Sequence, residues 1–129
     1  MALFIFSTVL SPQSAQACSC APLPSPTEAL AEAIAVFSGQ VTDIQPSQGR
    51  LDITFTVDQQ WKGEGEETIV VQTPTSTAMC GYGFEVGESY LVYAREHRGR
   101  LQTNQCSRTA LLSQATDDVS ELDNEQSCQ

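Results

Sequence analysis

Apolar and polar positions alternate most cleanly over residues 51–57. Leu51, Ile53, Phe55 and Val57 are apolar; Asp52, Thr54, Thr56 and Asp58 are polar. A period of two puts one set on a core face and the other in water, which defines a strand. Residues 36–44 form another, with Gly39 marking a bulge or bend. Residues 68–73 (TIVVQT), 90–94 (YLVYA) and 100–103 follow, the last two paired across a turn at 96–99. Residues 46–49 make the turn between the first two strands. Trp61-Lys62-Gly63 ends the second strand, with Trp61 packing there, and an acidic solvated turn containing Glu64, Glu66 and Glu67 comes next.

Helical signals sit outside this run of strands. Ser25-Pro26-Thr27-Glu28 predicts a helix start, with Ser25 as N-cap, Pro26 at the first helical position and Glu28 completing a capping box. The helix runs on through EALAEAIA, with Leu30 and Ile34 on one face. Residues 110–122 read as one helix or two short turns. The acidic stretch 117–129 (DDVSELDNEQSCQ) reads as a solvated or disordered tail. The sum is a mainly β chain: a small five-stranded, OB-like barrel, closed or partly open, with short flanking helices.

The first residues are patterned differently. An apolar run at 2–10 (ALFIFSTVL) is followed by small and polar residues ending in Ala15-Gln16-Ala17. This predicts a signal peptide over residues 1–17, cut after Ala17, although no positive charge lies near its start. The mature chain then begins at Cys18, with one domain over 18–116 and the acidic tail over 117–129. A competing reading is lipidation of Cys18, because bacterial lipoproteins are also cut directly before a cysteine. The three residues before Cys18 lack the leucine usual at such a site. No run reaches the roughly 18 apolar residues of a membrane span.

Composition narrows the function. The chain has 129 residues, 16 Asp+Glu against 6 Lys+Arg and a net charge of -10. That length suits one domain. The basic residues Arg50, Lys62, Arg95, Arg98, Arg100 and Arg108 are scattered, so neither a nucleic-acid nor an anionic-membrane surface is expected. There is no Gly-rich phosphate loop, no HExxH and no CxxC. The single histidine, His97, lies in a solvated turn, and sites built on several His are excluded. Asp117-Asp118 reads as a charged helix start rather than an acid/base pair. No nucleophile stands beside a base, so an enzyme is the weakest reading. No cofactor and no metal of its own is expected.

Five cysteines remain: Cys18, Cys20, Cys80, Cys106 and Cys128. Export places them where disulfides persist. Cys18 and Cys20 are too close to bridge each other without strain. Both therefore reach to Cys80 and Cys106, either as 18–80 with 20–106 or as 18–106 with 20–80. Cys128 is left over. Either pairing turns a terminus that normally frays into a rigid projection.

Several motifs now line up. Cys18-Ser19-Cys20-Ala21-Pro22 has Pro24 and Pro26 close behind, and Trp61-Lys62-Gly63 ends a strand. A polar loop from Thr73 to Met79 leads to Cys80-Gly81. Tyr90-Leu91 opens a strand, and the next strand runs on to Cys106. On these motifs nearly the whole mature chain resembles the N-terminal, netrin-like domain of the tissue inhibitors of metalloproteinases, in a single-domain bacterial-type form.

That resemblance implies the pairing Cys18–Cys80 with Cys20–Cys106 and the barrel already expected. It implies a secreted or periplasmic inhibitor, monomeric and without cofactor, whose partners are zinc metalloproteinases. In it the α-amine and carbonyl of Cys18 would chelate the zinc of the target, and Ser19 would enter the specificity pocket. Cys20, Ala21 and Pro22 would continue along the cleft, with Ala78 and Met79 alongside. The chain departs from the family in lacking a first-helix cysteine for Cys128 to meet. Its first hairpin is short, and no counterpart of the animal C-terminal domain is present. The alternative is a non-inhibitory netrin-like binding module, lipid-anchored at Cys18.

Overall fold

A computed structural model describes residues 3–5 and 18–127. Its elements follow in the order α1 (Pro26–Glu32), β1 (Ala35–Ser47), β2 (Arg50–Lys62), β3 (Thr68–Pro74), β4 (Ser89–His97), β5 (Arg100–Gln102), β6 (Ala110–Leu111) and α2 (Thr116–Ser127). Residues 3–5 are exposed and carry no regular structure. The rest of the expected signal peptide, and Cys128, lie outside the described residues.

Apolar runs and the turns between them predicted five of these strands, and pairing lengthens the first two. β1 and β2 form a hairpin whose register runs from Ser47↔Arg50 at the tip to Val36↔Lys62 at the base. Gly39 sits at a register shift, as expected of a bulge. A Cβ there would lie 2.8 Å from the Thr56 carbonyl oxygen, so the close approach of β2 requires glycine. The sheet then runs β1–β2–β3–β5–β4 and returns to β1. β3 and β5 meet in parallel at a single pair, Gln72↔Gln102. The ring is therefore closed but thin at one seam, an OB-like β domain rather than a regular barrel. β6 pairs with β4 at Tyr90 and Leu91, along the edge opposite β1.

Two cores use opposite faces of the same strands. Inside the ring are Phe37, Ile53, Phe55, Val71, Tyr90 and Val92, with Phe84 stacked edge-on against Phe55 at 5.3 Å and Tyr90 at 4.8 Å. Outside it Val36, Trp61, Leu91 and Tyr93 pack against Ala29, Ala33, Ala115 and Leu122. A strand buried on both faces reads as a continuous apolar run, which is why YLVYA shows no alternation.

Both helices depart from the sequence reading. In α1 the Ser25 hydroxyl accepts the Glu28 N–H at 3.2 Å, as its cap signal predicts. The helix stops at Glu32, and Ala33 is already extended. Ile34 therefore leaves the helical face and is 50% exposed, while Pro26, Ala29 and Ala33 do the packing. Small residues serve here because α1 lies close against α2. The acidic stretch expected as a loose tail is the helix α2. Leu122 is completely buried, and the Trp61 indole N–H donates to Asp123 at 2.8 Å. Trp61 thus packs between the strand end and this helix, as read. Residues 110–115 form β6 and a tight 3-10 turn rather than part of a helix.

Candidate functional site

Three stretches of chain meet where the extended residues 18–25, the loop after β3 and the loop after β5 come together. Cys18 is bonded to Cys80 and Cys20 to Cys106, with Cα–Cα distances of 4.6 and 5.3 Å. Of the two pairings open from spacing, this is the one the family resemblance implied. The bonds span 62 and 86 residues. In the chain-entropy account each contributes about 4–5 kcal/mol against unfolding. The two bridges touch, with Cys18 Sγ 3.4 Å from Cys106 Sγ. Three sulfurs thus lie within 4.8 Å of one another, but each is spent in a disulfide and offers no thiolate to a metal.

The loop after β3 is shaped by its own backbone. A 3-10 turn, Thr77–Met79, is capped by the Ser76 hydroxyl, which accepts the Met79 N–H at 3.3 Å. The Ser76 carbonyl accepts from Gly81 at 2.9 Å. Cys80 takes a left-handed conformation, φ 68°, which costs a non-glycine residue about 1 kcal/mol. It is held there by its disulfide and by a Gln105 N–H donated to the Cys80 carbonyl at 2.9 Å. Gly81 follows, and a Cβ on it would run into the Pro74 carbonyl oxygen. The Gln105 side chain also donates to the Gly81 carbonyl at 2.8 Å, lacing the two loops together.

The extended N-terminal segment is fastened at its far end too. Arg108 donates from Nη1 to the Pro24 carbonyl at 3.0 Å. Its Nε and Nη2 donate to the two oxygens of Asp118 at 2.8 and 2.6 Å, a forked pair. The Tyr93 hydroxyl donates to Asp118 at 2.9 Å. Hydrogen bonding to Asp118 raises the Arg108 pKa. Burial, then the bond to Asp118, pushes the Tyr93 phenol up. One guanidinium therefore ties residues 18–25 to α2 and, through Asp118, to β4.

Between these fastenings the chain is open. Ser19, Cys20, Ala21 and Pro22 are exposed. Across the Cys18–Cys80 bond Ala78 is exposed and Met79 is 68% exposed. The structure thus brings Cys18, Ser19, Cys20, Ala21 and Pro22 together with Ala78 and Met79 as one two-segment ridge. His97 is exposed, as expected. Sequence reasoning gave no structural role to Arg108, Ser76 or Gly81. A glycine directly after a bridging cysteine was a readable signal. Arg108 had none, because its partners sit at positions 24, 93 and 118.

A ridge of exposed main chain and mostly small side chains, fastened by two disulfides, thus stands on a closed β ring. The family model for tissue inhibitor of metalloproteinase matches residues 16–121, and the chain belongs to that family. No curated protein matches it. Membership makes its general role metalloproteinase inhibition, with metalloproteinases as partners. Members are secreted inhibitors rather than enzymes, and two disulfides fit an extracellular setting. Among the described residues no helix is long and apolar enough to cross a membrane.

Proposed function

We propose that the chain, cut after Ala17 and exported, inhibits zinc metalloproteinases as a monomer through its new N-terminus. A catalytic zinc holds three protein ligands and an activated water. The α-amine of Cys18 displaces that water. Its ordinary pKa of about 8 makes loss of a proton to the metal inexpensive at neutral pH, so binding releases a proton. The Cys18 carbonyl closes a five-membered chelate with the same zinc. Ser19 enters the specificity pocket, and its small side chain admits many targets. Cys20, Ala21 and Pro22 lie along the cleft like a bound peptide, with Ala78 and Met79 beside them. The inhibitor brings no cofactor; the only metal is the target's.

The observation that carries this reading is the double fastening of residues 18–20 beside an otherwise open ridge. A terminus held this firmly loses little freedom on docking, which favours affinity. The sulfur of Cys18 is spent on Cys80, leaving no thiol for a lipid; this favours the inhibitor over the lipid-anchored module.

The test compares oxidised protein starting at Cys18 with the same protein carrying one extra alanine before it, against several zinc metalloproteinases. Inhibition by the first alone is expected. Equal inhibition by both would discard chelation and keep the ridge. No inhibition by either folded protein would overturn the inhibitory reading.

A further inference from the structure

The three stretches that meet at the ridge share a property that no single motif shows. Residues 18–27, 73–84 and 103–107 contain none of the chain's 16 Asp+Glu or 6 Lys+Arg. They lie far apart in sequence, and the two disulfides bring them to one place. A molecule with net charge -10 thus presents an uncharged edge. Its polar side chains are turned to its own main chain. The Ser76 hydroxyl accepts from Met79, the Asn104 side-chain oxygen accepts from Cys106, and the Gln105 amide donates to Gly81. The ridge therefore holds no charge with which to pair one on a partner, and a charge buried without a counter-charge is costly.

The border of the ridge differs from the ridge itself. Following the chain out of each stretch, the next charges are Glu28, Glu85 and Arg108. Arg108 is spent in its forked pair with Asp118, so the two together add no net charge. Glu28 and Glu85 are exposed, and among the described residues neither pairs with a Lys or Arg. The charges that precede the second and third stretches, Glu67 and Arg100, lie at the other ends of β3 and β5. Free charge next to the ridge is therefore acidic, the same sign as the molecule as a whole.

A neutral edge inside an acidic border selects its partner twice. Border charges act over a distance: they speed the approach of a surface of opposite sign and slow that of a like one. The edge acts at contact, where a cleft lined by charge would lose water and gain no counter-charge. We infer that the ridge selects zinc metalloproteinases whose cleft is uncharged and whose cleft border carries lysines and arginines. This rests on the inhibitory reading above and names its target class.

Association and dissociation rates of the oxidised protein starting at Cys18 test this. The probes are the catalytic domains of two zinc metalloproteinases with uncharged clefts, one bordered by lysines and arginines and the other by carboxylates. Association with the basic-bordered enzyme should slow by about tenfold or more between about 0.02 and 0.5 M salt, with dissociation moving by less than about twofold. At low salt the acidic-bordered enzyme should associate about tenfold more slowly than the basic-bordered one. Glu28→Gln with Glu85→Gln should slow association with the basic-bordered enzyme by about threefold at about 0.15 M salt. Glutamine also serves in a capping box, so α1 keeps its start. Glu64→Gln with Glu66→Gln removes the same charge from the exposed turn before β3. The seven residues of β3 hold that turn about 20 Å from the loop that follows the strand, so association should stay within about 1.5-fold of the parent protein. On the ridge, Ala21→Glu should dissociate at least about tenfold faster than Ala21→Gln, which has the same size and no charge. Association that ignores salt, equal association with both enzymes, equal effects of the two double variants, or equal dissociation of Ala21→Glu and Ala21→Gln would each overturn the inference and leave inhibition in place. Binding to neither enzyme would overturn the inhibitory reading, and this inference with it.

Discussion

Gly81 and Arg108 show how single residues hold the ridge. At Gly81 an added methyl meets main-chain oxygen of Pro74 and Ser76, neither of which can swing aside. Gly81→Ala should therefore cost about 2–3 kcal/mol in urea unfolding, at the upper end for a point change. Its damage should centre on residues 75–79 and appear as lost amide protection there. Arg108 and Asp118 are only 25% and 11% exposed at their side chains, so breaking their pair leaves a poorly solvated carboxylate. Arg108→Gln should destabilise by about 2 kcal/mol, less than for a fully enclosed pair. It also frees the Pro24 end of the N-terminal segment. Dissociation from a metalloproteinase should then quicken, and Arg108→Lys should restore only part of the loss, since one ammonium cannot reproduce the fork.

Among the elements, α2 is the one the sequence showed least: a helix up to Leu122 was one of two readings, and residues 117–129 were read as a tail. DDVSELDNEQS offers Val119 and Leu122 as its only apolar residues, too few for a readable helical stripe. What orders it is tertiary: a slot between α1, Trp61 and Tyr93 that exists only once the ring has closed. Leu122→Ala should cost about 2–4 kcal/mol and red-shift the emission of the single tryptophan, Trp61. Unchanged emission would mean that the helix is not docked in solution. The strands, by contrast, were legible wherever one face is wet, as at Leu51, Ile53 and Phe55. The start of α1 was legible through Ser25 and Pro26, and its end was not, because nothing local stops a helix at Glu32. The ridge could be read because its cysteines sit at its ends. The meeting of Arg50 with Arg98 and Arg100 around one cavity could not, because they lie far apart in sequence and only strand pairing brings the two turns together.

The whole molecule carries a pH dependence set by its three tyrosines. Burial raises Tyr82, Tyr90 and Tyr93 above the ordinary value of 10.0, and Asp118 adds to the effect at Tyr93. Above that pH the unfolded chain loses phenolic protons that the folded chain keeps. Stability from this source is therefore complete below about pH 10 and falls as pH rises further. Urea midpoints across that range should decline, and Tyr93→Phe should make the decline shallower while lowering the plateau. The two bridges set an order in time as well. Residues 18 and 20 are made early in synthesis, yet their partners lie 62 and 86 residues downstream. The ridge cannot be assembled until the chain has been made through Cys106 and its thiols oxidised, so on the proposed mechanism the nascent molecule has no finished inhibitory edge.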